Sequence, residues 1–283
     1  MQTSITAVHR LMPGGWGNIG FFALVTMVLL GFLAPLLLDL SPYRIGAELL
    51  VPPSWNPLSA PILGTDDLGR DMFARLVYGA RCSLGIGFVV VAVSLVVGVG
   101  LGLLAGVYGG WLDAVIMRLV DLLMCLPSIL LAIVIVAVLG SGLVNAVVAV
   151  TIIGIPRFVR VVRSVAIQEM QKTYVMAAFA SGSSRFRVLW SEVLPNCVPP
   201  VIVQAALGFS DAILEIAALG FLGLGAKPPV AEWGAMLADA RPFIESHPLL
   251  VVMPGVCILI TVLSFNLVGD ALRDRLDPKL ARL

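Results

Sequence analysis

LGIGFVVVAVSLVVGVGLGLLAGV, residues Leu84–Val107, carries no charge from end to end. An α-helix rises about 1.5 Å per residue, so this run can cross the roughly 30 Å hydrocarbon layer of a bilayer. A shorter apolar run would also suit a buried core helix, but this length favours a membrane span. Within it Gly98, Gly102 and Gly106 recur at steps of four. Such a small-residue ridge lets a second helix backbone approach closely in lipid.

Working outward, Ile19–Leu38 and Pro248–Gly269 are also uncharged throughout, and each reaches the about 20 residues that a span needs. Three weaker spans complete the set: about Ala114–Leu139, about Leu143–Arg163 and about Val198–Leu219. The expectation is an all-α integral membrane protein with about six transmembrane helices. Composition agrees. Charged residues are 12% of the chain, against about 25% in soluble domains, and mean hydropathy is +1.03. A formal net charge of only +1 offers no basic face for nucleic acid. His9 and Arg10 precede the first run, as in a signal peptide, but the run is longer than an h-region and no small-x-small site follows. It reads as an uncleaved first span.

The span over Leu143–Arg163 has a shorter uncharged core, Gly142–Pro156. That core falls below the about 20 residues of a full crossing. Arg157, Arg160 and Arg163 are expected to snorkel to the headgroups as a basic stripe. Lys and Arg count twelve to six in favour of the segments inside when the N-terminus is placed in the cytoplasm. The positive-inside rule then gives N-in and C-in.

Three hydrophilic regions connect the spans. Outside, Thr65 or Asp66 reads as an N-cap. Leu68, Met72, Leu76 and Gly79 form one apolar face, and Asp71 and Arg75 form an i,i+4 pair. An amphipathic surface helix is expected there. Asp66, Asp67, Arg70 and Asp71 are candidates either for docking a partner or for capping that helix. Inside, Tyr174–Ser184 carries no charge, and Gly182 permits a turn between two short helices. Leu194-Pro195-Asn196 is read as a helix stop. An apolar helix pair on a cytoplasmic face points to burial by another protein. In the fifth span Asp211 and Glu215 share a helix face. Either Glu215 reaches the outer interface and Asp211 pairs with a polar neighbour, or both line a pathway and attract a cationic group.

Catalytic groups are not in sight. There is no P-loop pattern and no nucleophile–His–Asp grouping. Cys82, Cys125, Cys197 and Cys257 form no C-x-x-C pair, and His9 and His247 are isolated, so no metal site is expected from them.

Four stretches together resemble a known family, the permease subunits of peptide-class ABC importers. They are LGTDDLGRDMFARLVYGARCSL (Leu63–Leu84), YGGWLDAVIMRLVDLLMCLPSILLA (Tyr108–Ala132), LGFLGLGAKPPVAEWGAMLADAR (Leu219–Arg241) and PGVCILITVLSFNLVGDALRDRLDPKL (Pro254–Leu280). The resemblance runs from about Pro35 to the C-terminus and is to the C-type subunit of dipeptide, oligopeptide and nickel systems. It implies the type I importer permease fold, with residues 1–83 as tail, first span and external segment. Residues 84–283 would be the core permease, with five spans and coupling helices at about 173–190. The family's cytoplasmic signature maps onto Met176, Ala177, Ala178, Gly182, Leu194 and Pro195, with Met176 standing where the pattern has glutamate. The resemblance further implies a bacterial inner-membrane location, a homologous second permease, two cytoplasmic ATPase subunits that bind ATP and Mg, and an external solute-binding protein. No cofactor is expected on this chain. Dipeptides lead as substrate, from Leu194–Leu224, with nickel or a metal chelate second. A secondary transporter would normally show inverted repeats, which the sequence lacks.

Overall fold

The computed structural model describes residues 15–37, 41–54 and 61–276. The readings placed on His9, Arg10, Leu38 and residues 277–283 lie outside the described residues. Long helices dominate: α1 Trp16–Leu37, α2 Met72–Tyr108, α3 Gly110–Met124, α4 Ser128–Leu139, α5 Leu143–Met170, α6 Thr173–Ala180, α7 Arg185–Val188, α8 Leu194–Phe221, α9 Trp233–Ala240 and α10 Leu249–Leu276. A π-helical stretch, Leu189–Val193, joins α7 to α8. Among the described residues extended structure is limited to two isolated bridges, Ile45 with Arg70 and Thr65 with Asp71.

Five helices, α1, α2, α5, the α7–α8 run and α10, are long and apolar enough to cross a membrane. The expected third span is broken: α3 and α4 meet at 94°. The cause is Cys125-Leu126-Pro127. Proline has no N–H to continue the ladder, and it disfavours helical geometry at the residue before it. The bent pair still makes one passage. At its start the Tyr108 carbonyl accepts from Arg185, the first residue of α7. At its end Gly142 N–H donates to the Leu224 carbonyl beyond the far end of α8. With that pair the passages number six.

Two local expectations are corrected. The amphipathic helix outside is not a separate element. Asp71, rather than Thr65 or Asp66, is the N-cap, accepting from Phe73 and Ala74 N–H. The helix then runs unbroken into the apolar run, because Ala80–Ser83 contains no breaker. Pro195 does not stop a helix. It is the second residue of α8, and the π-helical turn Leu189–Val193 directly before it carries the helical run past the missing N–H.

The glycine ridge does what its spacing foretells. A Cβ at Gly98 would lie 2.4 Å from Phe158 Cβ, one at Gly102 2.8 Å from Val162 Cβ, and one at Gly106 2.5 Å from Ala166 Cβ. Those partners step by four along α5, so two helices lie with backbones nearly in contact. Ser94 Oγ donates to the Thr151 carbonyl across the same seam at 2.9 Å. At the edges, Gly20 of α1 meets Ser264 and Leu267 near the end of α10, and Gly31 meets Ala80 and Arg81 near the start of α2. The start of α1 and the end of α10 therefore lie at the same end of the bundle as α6 and α7.

This packing gives a paired test. Gly102→Val should destabilise the protein by about 1–3 kcal/mol through overpacking, read as a lowered unfolding temperature in detergent. Gly100→Val, whose Cβ meets nothing within 4 Å, should leave that temperature close to wild type.

Candidate functional site

Each helical step of three residues turns the chain by about 300°, so Arg157, Arg160 and Arg163 fan out about 60° apart. The fan reaches two neighbouring helices, and every arginine meets a carboxylate. Arg157 bonds Asp211 of α8, with Glu215 at 3.9 Å. Arg160 Nη2 donates to Asp121 of α3 at 2.7 Å. Arg163 clamps Asp113 of α3 with two bonds, one of 2.6 Å. The expected snorkelling stripe is therefore corrected. A carboxylate on a neighbouring helix takes the place of a headgroup, because pairing spares the cost of an isolated charge in lipid; the Arg160–Asp121 pair is the exposed one. Asp113 and Asp121 are missed by the sequence reading. Their signal is two anions in an apolar segment that need partners.

Asp211 and Glu215 do share a face of α8, and the neighbour of Asp211 is Arg157. A small cavity between α2, α5 and α8 is lined by Ser94, Arg157, Gln204, Asp211 and Glu215. Asp211 keeps 45% of its side chain exposed and Glu215 only 13%. One guanidinium thus faces two carboxylates.

At the α6 end of the bundle the short helices adopt the expected turn. Gly182, with φ +86°, reverses the chain between α6 and α7, and Ser184 caps α7 through Arg187 N–H. Met176, Ala177, Gly182 and Pro195 are exposed, and Ala178 and Leu194 half-buried. Phe186 and Trp190 lie edge to face beside them, at 6.2 Å between ring centroids, and both are exposed. The six signature positions thus lie along one stretch at the spans' end, most of them accessible.

At the opposite end the residues considered for docking turn inward. Asp66 and Arg70 are buried and joined by a 2.6 Å bond. Arg75 reaches Asp66 and Asp239, each at 3.5 Å, not Asp71, whose carboxylate is taken by the α2 N-terminus. Asp67 and Asp71 are half-buried, Asp67 with 32% of its side chain open. Burial raises the Asp239 carboxyl, and the two arginines oppose that shift. Close by, Glu232 is 1% exposed and caps α9, accepting from Gly234 and Ala235 N–H at 2.8 Å. Burial pushes its carboxyl above the usual range. Trp233 Nε1 donates to the Leu76 carbonyl at 3.2 Å. This end is an ion-paired cap closing α2, α8 and α10 together. Its arginines and acids hold the chain's own segments.

Residues 98–282 match the family model for the inner membrane component of binding-protein-dependent transport systems. The chain belongs to this family. The membrane component is 48% identical over 97% of its length, and 89% of the relative's, to the dipeptide transport system permease protein DppC of Alkalihalophilus pseudofirmus. It is 49% identical to the di/tripeptide permease DppC of Pseudomonas aeruginosa over 91% of its length and 87% of the relative's. The Escherichia coli dipeptide permease DppC is also 49% identical, over 91% and 88%. Among solved structures, the MetNI methionine ABC transporter in an inward-facing form shares the fold, with TM-score 0.59 at 20% identity, over 72% of this chain and 97% of that one. It is a multi-pass membrane protein of the type I permease fold.

The ion pairs of α5 make a reciprocal prediction. Asp113→Asn should leave Arg163 without its anion and lower the amount of folded membrane component several-fold. Exchanging the charges, Asp113→Arg with Arg163→Asp, should recover most of it. Fluorescence-detected gel filtration of solubilised membranes reads both.

Proposed function

We propose that this membrane component carries dipeptides or small oligopeptides across a bacterial inner membrane as one of two homologous permeases of an ATP-driven importer. The observation that carries the substrate reading is the likeness to relatives named for dipeptide and di/tripeptide transport along nearly the whole chain. Two cytoplasmic ATPase subunits would bind ATP and Mg and supply the energy, and an external binding protein would deliver the solute. Both described helix ends, the start of α1 and the end of α10, then face the cytoplasm with α6 and α7.

On this reading α6, Gly182 and the start of α8 form the surface that meets an ATPase subunit. Exposed small side chains at Ala177 and Gly182 leave room for a close approach, and Met176 presents an apolar thioether where a charge would have required a polar partner. Closure of the ATPase dimer pushes α6. The push reaches α8 through the joined α7 segment, and α5 through its direct connection to α6. The seam between α2 and α5 carries the motion on. Asp211, Glu215 and Arg157 border the pathway, where a surplus carboxylate attracts the amino terminus of a peptide.

The test is reconstitution with the second permease, both ATPases and the binding protein in proteoliposomes. ATP-dependent uptake of a dipeptide supports the proposal. Uptake by the chain alone, driven by an ion gradient, contradicts it. In the active complex, Glu215→Gln should reduce uptake of a C-amidated, cationic dipeptide several-fold more than uptake of an N-acetylated one, with each rate taken relative to wild type so that the binding protein's own preference cancels.

A further inference from the structure

α6 is attached to the bundle by little. Of its eight residues only Val175 is buried, with 0% exposure. It packs in a cluster with Val162, Val188 and Val193. Ala178 and Phe179 lie against the same cluster half-buried. A helix held by one buried side chain can pivot about it, and a pivoting helix absorbs a push instead of passing it on.

A polar network supplies the second point of attachment. Glu169, in the last turn of α5, is 6% exposed. Its carboxylate accepts from Lys172 Nζ at 2.6 Å and from the Tyr174 hydroxyl. That hydroxyl accepts in turn from Asn196 Nδ2 at 3.0 Å. Asn196, in the first turn of α8, gives a further bond to the Glu192 carbonyl at 2.7 Å. One phenolic oxygen therefore links the foot of α5, the first turn of α6 and the first turn of α8. Burial, and then the bond to Glu169, push the Tyr174 hydroxyl up to about 12. It stays protonated at neutral pH and keeps donating.

We propose that Tyr174 is a positioning residue that fixes α6 to α5 and α8 as one body, so that force on α6 moves both spans. The inference rests on the reading of α6 as the surface that meets an ATPase. It adds a mechanical element that the small residues of that surface do not supply. The hydroxyl is the part that matters. Tyr174 is 39% exposed, so its ring contributes little to the core, and its removal is not required for the test.

The experiment uses the assembled transporter in proteoliposomes and measures solute taken up per ATP hydrolysed. This ratio is insensitive to how much complex is present, so a merely structural loss does not move it. Tyr174→Phe deletes one oxygen and keeps the ring. The ratio should fall several-fold, because the deletion removes both the bond to Glu169 and the bond from Asn196, while the ATPase subunits still co-purify. Asn196→Ala should lower the ratio too, and adding it to Tyr174→Phe should cause little further loss, because the contact the two residues share is already gone in Tyr174→Phe. A wild-type ratio in Tyr174→Phe overturns the inference, as does a double variant whose losses multiply. If the wild-type complex itself fails to couple ATP to uptake, it is the transport reading that fails.

Discussion

Three guanidinium groups on one membrane helix must each find an anion on a neighbouring helix, and that requirement organises much of this protein. An isolated cation near the middle of a bilayer costs on the order of 2.5–3.5 kcal/mol on insertion scales. Arg157, Arg160 and Arg163 avoid that cost by reaching α8 on one side and α3 on the other. The pairs thereby fix which helices flank α5 and how it is rotated. They also explain why α3 is amphipathic and is not a simple lipid-facing span. Its Asp113 and Asp121 face the arginines, and its exposed side carries Trp111, Leu119 and Leu122.

The opposite face of α5 is set by different physics. In lipid no hydrophobic effect separates one apolar helix from another, so close backbone packing and interhelical hydrogen bonds decide the association. Gly98, Gly102 and Gly106 provide the first and Ser94 the second. With one side of α5 held by charge and the other by contact, the helix is constrained to move with its neighbours. Its last turn carries Glu169, and the coupling surface begins just beyond it with α6. A displacement of α6 that is not lost in pivoting has a rigid route to the membrane interior.

Much of the architecture is legible in the sequence. Apolar length alone marks α1, α2 and α10, and the four-residue glycine step foretells that α2 packs closely against a second helix, though not that the helix is α5. The turn at Gly182 and the shared face of Asp211 and Glu215 follow from local rules. What stays hidden depends on tertiary partners. The periodicity of α5 shows three arginines but not the acids that meet them. The one local sign that the helix capped by Asp71 continues past Gly79 is the lack of a breaker over Ala80–Ser83. Nothing local shows that Arg70 and Arg75 turn inward to meet Asp239, which lies far along the chain. The break at Pro127 is visible as a proline, yet the apolar residues on both sides mask it as one continuous span. Glu169, Tyr174 and Asn196 carry no pattern at all, since their connection exists only when three helix ends converge.

The most direct measurement is the position of the three α5 guanidinium groups in an experimental density map of the assembled transporter in a lipid nanodisc. The expected result places Arg157, Arg160 and Arg163 within ion-pairing distance, about 4 Å, of Asp211, Asp121 and Asp113 respectively. Guanidinium groups extended to the lipid headgroups, with those carboxylates turned elsewhere, would contradict the account.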